Sequence, residues 1–299
     1  MIGLSPILID KEEVLRLIDY LGLKVSSASP LAHLAKGKIS KGFPEETSVS
    51  EELREVLKTI ADPEKLYFFM IKMAGVMQNL TYYEKDSILV QYAIYEGEKH
   101  VVYDVTDPIS LLEFLFSIFK RSEGKTESTN PLTFQEYIAL CAALRLQEYS
   151  DLVGGIESES DRLQISLEDL MTEIKAILYR VYGGTSAWSQ EDESVFVEAM
   201  NGLIEKGFLN LREGAFSVTE AWNRLTSITG AGSTSLTIWV KGLKRKEDRM
   251  ARIMGNKDGI VSFEMCSDGV VLRELPSTDL RNYLSAFTFE VLIPPKTMS

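Results

Sequence analysis

Apolar positions along this chain follow two periods, one helical and one alternating, and the two switch in the same order twice. Residues 10 to 21 place Val14, Leu17, Ile18 and Leu21 on one helical stripe. Asp10 stands at the start and Glu13 three residues on, the spacing of a capping box, and Gly22 is placed to end the helix. Thr133 and Glu136 repeat that box before a second stripe of Tyr137, Leu140, Cys141 and Leu144. Pro30 to Phe43 predicts a short helix through Leu31, Leu34 and Ala35, closing on Lys41-Gly42-Phe43. Its counterpart lines up Val195, Phe196, Ala199, Met200, Leu203 and Ile204 ahead of Lys206-Gly207-Phe208, with Gly207 as a left-handed cap and Phe208 docking back. Ser50 and Thr219 then each follow a valine and precede a glutamate. They are expected to cap helices carrying Leu53, Val56, Leu57 and Ile60 in one case and Trp222, Leu225 and Ile228 in the other.

The period next changes to two. Strands are expected near 66–73, 77–83, 87–95 and 100–105, with turns at Glu84 to Ser87 and Glu96 to Glu98. A second set falls near 235–243, 249–255, 259–266 and 270–275, turning at Asn256 to Gly259 and Ser267 to Gly269. Lys85-Asp86-Ser87-Ile88 and Lys257-Asp258-Gly259-Ile260 are the nearest local match. Each set is followed by a helix, through Leu111, Leu112, Leu115 and Ile118 or through Leu280, Tyr283, Leu284 and Phe287. The expected fold is therefore α+β: two pseudo-symmetric halves, each an antiparallel four-stranded meander with flanking helices. Residues 1–121 form the first repeat and 122–130 a polar linker. Residues 131–299 form the second repeat, with an acidic helical insertion at about 147–188.

Charge and chemistry narrow the function classes. The chain carries 44 acidic against 32 basic residues, a net charge of −12, which opposes a phosphate backbone. No run of about 18 apolar residues occurs, so no membrane span is expected. The N-terminus lacks the pattern of a secretory signal, and two cysteines in separate apolar patterns suit a reducing, cytoplasmic setting. His33 and His100 stand apart from any metal-spaced cluster. Gly230-Ala231-Gly232-Ser233 lacks the third glycine of a dinucleotide fingerprint and precedes a strand, so no cofactor is expected. No catalytic motif is present.

Two stretches remain as candidate binding residues, both on the first hairpins of the meanders. Met70, Met73, Met77, Tyr82 and Tyr83 make the first hairpin apolar and adaptable. Lys244, Arg245, Lys246 and Arg249 belong to a basic run from Lys241 to Lys257 on the second, which either protects an exposed strand or meets an acidic partner.

With both halves laid out, the chain resembles the EspG family, cytosolic chaperones of the ESX (type VII) secretion system. The resemblance rests on Lys41-Gly42-Phe43 and Lys206-Gly207-Phe208, on Val49-Ser50-Glu51 and Val218-Thr219-Glu220, on Ala61-Asp62-Pro63-Glu64, and on the meander and closing helix of each half. It implies a non-catalytic chaperone or adaptor whose two quasi-symmetric halves hold a helical secretion substrate. The helix-turn elements support a different expectation, a winged-helix-like transcriptional or nucleic-acid-binding protein.

Overall fold

A computed structural model describes residues 7–32, 49–94, 99–105, 107–124, 127–154, 164–182, 190–230, 232–244 and 248–289. The protein is α+β. The first part holds β1 (Ile7–Asp10), α1 (Lys11–Tyr20), α2 (Glu51–Ala61), β2 (Lys65–Met73), β3 (Val76–Lys85), β4 (Ile88–Ile94), β5 (Lys99–Val105) and α3 (Pro108–Ser117). The second opens with β6 (Ser128–Leu132), α4 (Phe134–Gly154), β7 (Ile165–Ser166), α5 (Leu167–Tyr182), α6 (Gln190–Glu205), β8 (Leu209–Arg212) and β9 (Ala215–Val218). It continues through α7 (Asn223–Thr229), β10 (Thr234–Gly242), β11 (Asp248–Asn256), β12 (Gly259–Cys266), β13 (Gly269–Glu274) and α8 (Leu280–Phe289).

Both expected meanders form, and they join into one sheet where two separate ones were expected. Among the described residues ten strands pair antiparallel in the order β1-β5-β4-β3-β2-β10-β11-β12-β13-β6. The seam is β2 against β10, with Phe69 opposite Ile238 and Phe68 opposite Trp239. β2 reads Lys-Leu-Tyr-Phe-Phe-Met-Ile-Lys-Met, with Tyr67, Phe69 and Ile71 buried on one face and Leu66, Phe68 and Met70 half-buried on the other. Each end of the sheet gains an edge strand that the sequence pattern did not announce. β6 occupies part of the stretch expected as linker, and Pro131 suits it to an edge, where a missing donor costs nothing.

Three apolar cores pack on this sheet. On one face Tyr67, Phe69, Ile71, Leu236, Ile238 and Val240 meet α3 and α8, through Leu112, Leu115, Leu284 and Phe287. On the other face the cover is divided. α1 and α2 bury Tyr83, Val90 and Tyr92 at one end, while α4 to α7 bury Val261, Phe263 and Leu272 at the other.

Local signals explain most helix ends. Gly22 (φ +60°) lets its own N–H reach Asp19 O and that of Leu23 reach Ile18 O, the paired bonds of a glycine-terminated helix. Gly207 (φ +75°) does the same for α6 and delivers Phe208 onto the Trp222 ring at 4.4 Å. The Thr133 and Glu136 box forms in both directions, at 2.7 and 3.1 Å, and Ser50 Oγ accepts from Leu53 N. Two expected caps differ. Asp10 has the extended backbone of a cap residue, but its side chain makes no capping bond because the residue is still paired in β1. Thr219 turns its hydroxyl back to donate to Gly207 O, and a short 3-10 turn at Glu220–Trp222 precedes α7. The expected helix at Pro30 to Phe43, its Lys41-Gly42-Phe43 close, His33 and the turn at Glu96 to Glu98 lie outside the described residues, wholly or beyond Ala32.

Candidate functional site

On the divided face the two central strands are only partly covered: Trp239 is exposed and Phe68, Met70 and Lys72 are half-buried, while Ser235 and Thr237 are buried. α2 lies over β3 and β4, and α7 over β11 and β12. Those two positions are four strand spacings apart along the sheet order, roughly 19 Å at ~4.8 Å per strand. Packed helices stand about 8–10 Å apart, so the gap over β2 and β10 has the width of one further helix.

Strand alternation decides which side chains floor this groove. Leu66, Phe68, Met70 and Lys72 of β2 face it, opposite Lys241, Trp239, Thr237 and Ser235 of β10. The next strand outward adds Met250 beside Trp239, Arg252 beside Thr237 and Met254 beside Ser235. Trp239 is 40% exposed and Met250 42%, while Phe68 and Met70 are half-buried. An apolar row of Phe68, Trp239 and Met250 therefore crosses the groove, with the Lys241 ammonium 5.7 Å from the Trp239 ring. Beyond Lys72, at the hairpin end of β2, stands a second apolar group. Met73, Val76 and Met77 are 51–68% exposed around a two-residue hairpin turn at Ala74-Gly75, both at positive φ.

The sequence-derived candidates are thus dispersed. Met70 lies on the groove floor, and Met73 and Met77 at its hairpin end. Tyr82 and Tyr83 do not form a wet contact edge: they point to opposite faces of β3, and each is buried in a core. Desolvation pushes the Tyr82 phenol up to about 12 and also raises that of Tyr83. The basic run is not one surface. Lys244 is paired with Glu64 at 2.7 Å and stands 3.7 Å from Asp62, tying the loop after β10 to the start of β2. Arg249 faces the other side of the sheet, 5.7 Å from the Phe287 ring. Arg245 and Lys246 lie outside the described residues. Sequence reading missed Phe68, Trp239 and Met250 and took Arg252 only as part of the basic run, although Trp239 and Phe68 share the groove-facing parity with Met70.

A second unit stands beside the groove. The run α4, β7, α5, α6, β8, β9, with its small sheet ordered β7-β9-β8, is the element order of a winged helix. Its α6, in the position of a recognition helix, carries Glu193, Glu198 and Glu205 and no Lys or Arg.

Among the described residues no cluster of three or more His, Cys, Asp or Glu is placed to hold a metal, and no helix is long and apolar enough to cross a membrane. Comparison with protein-family models and with curated proteins returns no match.

Proposed function

We propose that this chain is a non-catalytic protein-binding adaptor that seats one helix of its partner in the groove over β2 and β10. The observation that carries the reading is the helix-wide gap above an apolar floor of Phe68, Trp239 and Met250. Methionine and aromatic side chains supply adaptable, largely dehydrated contact area, which is the composition of helix-binding grooves. The reading fits the resemblance to the cytosolic EspG-like chaperones. It also fits an origin by internal duplication, since the sheet order runs edge strand then meander from either end, with the groove on the seam. The acidic part of the insertion would then tune partner choice.

The test is a photo-crosslinking amino acid at Trp239 in cells that make the protein, with Ile109, 55% exposed on the opposite side, as control. The expected result is a discrete adduct from position 239 that maps to one helical segment. A synthetic peptide of that segment should bind the purified protein, and Phe68→Glu should abolish both signals. Adducts at 239 no more abundant than at 109 would overturn the reading.

The winged-helix order favours a second reading, nucleic-acid binding. Against it, α6 would set carboxylates toward phosphates, an arrangement that costs affinity at every ionic strength. Retention of duplex DNA that weakens steeply with salt would restore it.

A further inference from the structure

A cavity of about 450 Å³ opens between α4 and the sheet, at the Lys72 end of the groove. We propose that it binds a small organic anion, a carboxylate or similar group on an apolar body, through Lys72 and Arg252. The cavity shares Lys72 and Arg252 with the groove floor, but not Phe68, Trp239 or Met250.

Size and lining come first. The volume lies within the range of small-molecule sites, and the inner wall is apolar, built from the buried Leu144, Met254 and Phe263. Tyr137 closes it, its ring 5.4 Å from that of Phe263. The rim is cationic. Lys72 comes from β2, Arg252 from β11 and Arg145 from α4, so three separate elements bring positive charge to one opening in a chain of net charge −12.

Partnering separates these three. Arg145 is held by Glu173 of α5 at 2.6 Å. Among the described residues neither Lys72 nor Arg252 has a carboxylate within ion-pair distance. Glu148, also at the rim, sits against Gly230, where an added Cβ would meet its Oε1 at 2.8 Å, and it is engaged in an interaction of its own. Lys72 and Arg252 lie on the same sheet face, two strands apart and offset by two residues, so both long side chains can reach one anion between them. Ser235, opposite Lys72 on β10, adds a hydroxyl.

The interior is poorly solvated, which strengthens such a contact. Burial pushes the Cys141 thiol up to about 11 and raises the Tyr137 phenol further, while the positive field of Arg252 acts on both in the opposite sense. Arg252 lines the cavity, and the thiol is a neutral wall group without nucleophilic character at physiological pH.

Ligand-observed NMR and calorimetry with 4-phenylbutyrate, its neutral amide and inorganic phosphate test the proposal on the full chain. The acid should bind at least about tenfold more tightly than the amide, and phosphate, lacking an apolar body, more weakly than the acid. Lys72→Met and Arg252→Met should each remove most of that discrimination. Arg252 is exposed, so its variant retains the fold even where Lys72→Met does not. Trp239→Ala, at a residue outside the cavity lining, should remove helix docking and leave acid binding unchanged, so failure of the one proposal is distinguishable from failure of the other. Equal binding of acid and amide, no binding of either up to about 10 mM, or unchanged discrimination in Arg252→Met would overturn it.

Discussion

Replacing Gly202 by alanine should destabilise this protein, although alanine is the better helix former, and the sign should reverse when Glu136 is removed. A Cβ at position 202 would lie 2.3 Å from Glu136 Oε1 and 3.3 Å from its Cδ. A flexible carboxylate would ordinarily step aside. This one is 5% exposed, and its Oε2 accepts from Thr133 N at 2.7 Å and from Lys206 Nζ at 2.6 Å. Moving it by about 1 Å weakens the start of α4 and the half-exposed ion pair together. Loss of a cap costs about 1 kcal/mol. The Lys206 side chain is 37% exposed, so weakening its bond to the buried carboxylate costs about 1 kcal/mol. Against this, Gly→Ala in a helix returns about 1 kcal/mol. The net for Gly202→Ala is a loss of about 1 kcal/mol. In a Glu136→Ala background the obstruction is gone, and the same change should stabilise by about 0.5–1 kcal/mol. Urea unfolding of the four proteins, compared at constant m, measures the cycle. Equal effects of Gly202→Ala in the two backgrounds would refute the geometry.

Two further outcomes follow from the same coordinates. A hydrogen bond from Lys85 holds the Asp62 carboxyl below its ordinary 3.8, and one from Lys244 holds Glu64 below 4.5. Groups depressed in the folded state stabilise it above their unfolded values, and that stability is lost as pH falls through the folded ones. Thermal midpoints should therefore be insensitive to these groups above about pH 5 and fall below about pH 4, with a shallower fall in Lys244→Met; identical acid limbs would exclude the contribution. Of the two cysteines, Cys266 is exposed, while the Cys141 thiol is pushed up to about 11. One thiol equivalent should react with a disulfide reagent at pH 8, and none after Cys266→Ser; two equivalents would show that Cys141 is accessible as a thiolate.

Much of the local structure is readable from residue spacing. The Thr133 and Glu136 box, Gly22, Gly207 and the alternation of the meander strands each depend on neighbours within a few residues, and all form as expected. The basic run was legible too, had its parity been applied. Arg249 and Arg252 are three residues apart on one strand and must point to opposite faces. Tyr82 and Tyr83 likewise separate because adjacent strand residues diverge. Both cases show that composition along a strand is not composition of a surface.

The groove itself was not legible. Trp239 and Met250 meet across the β10–β11 hairpin, but Phe68, from the other half of the chain, joins them only because β2 pairs with β10. The local period sets which face each residue takes. It carries no record of which strand will satisfy an open backbone edge some 170 residues away, since any apolar strand of similar length presents the same donors and acceptors. The sequence alone therefore determined the meander strands, the helices that follow them and the caps at Ser50, Thr133, Gly22 and Gly207. The tertiary structure decided that two meanders share one sheet, that helices cover only the ends of its second face, and that Lys72 and Arg252 meet at one cavity.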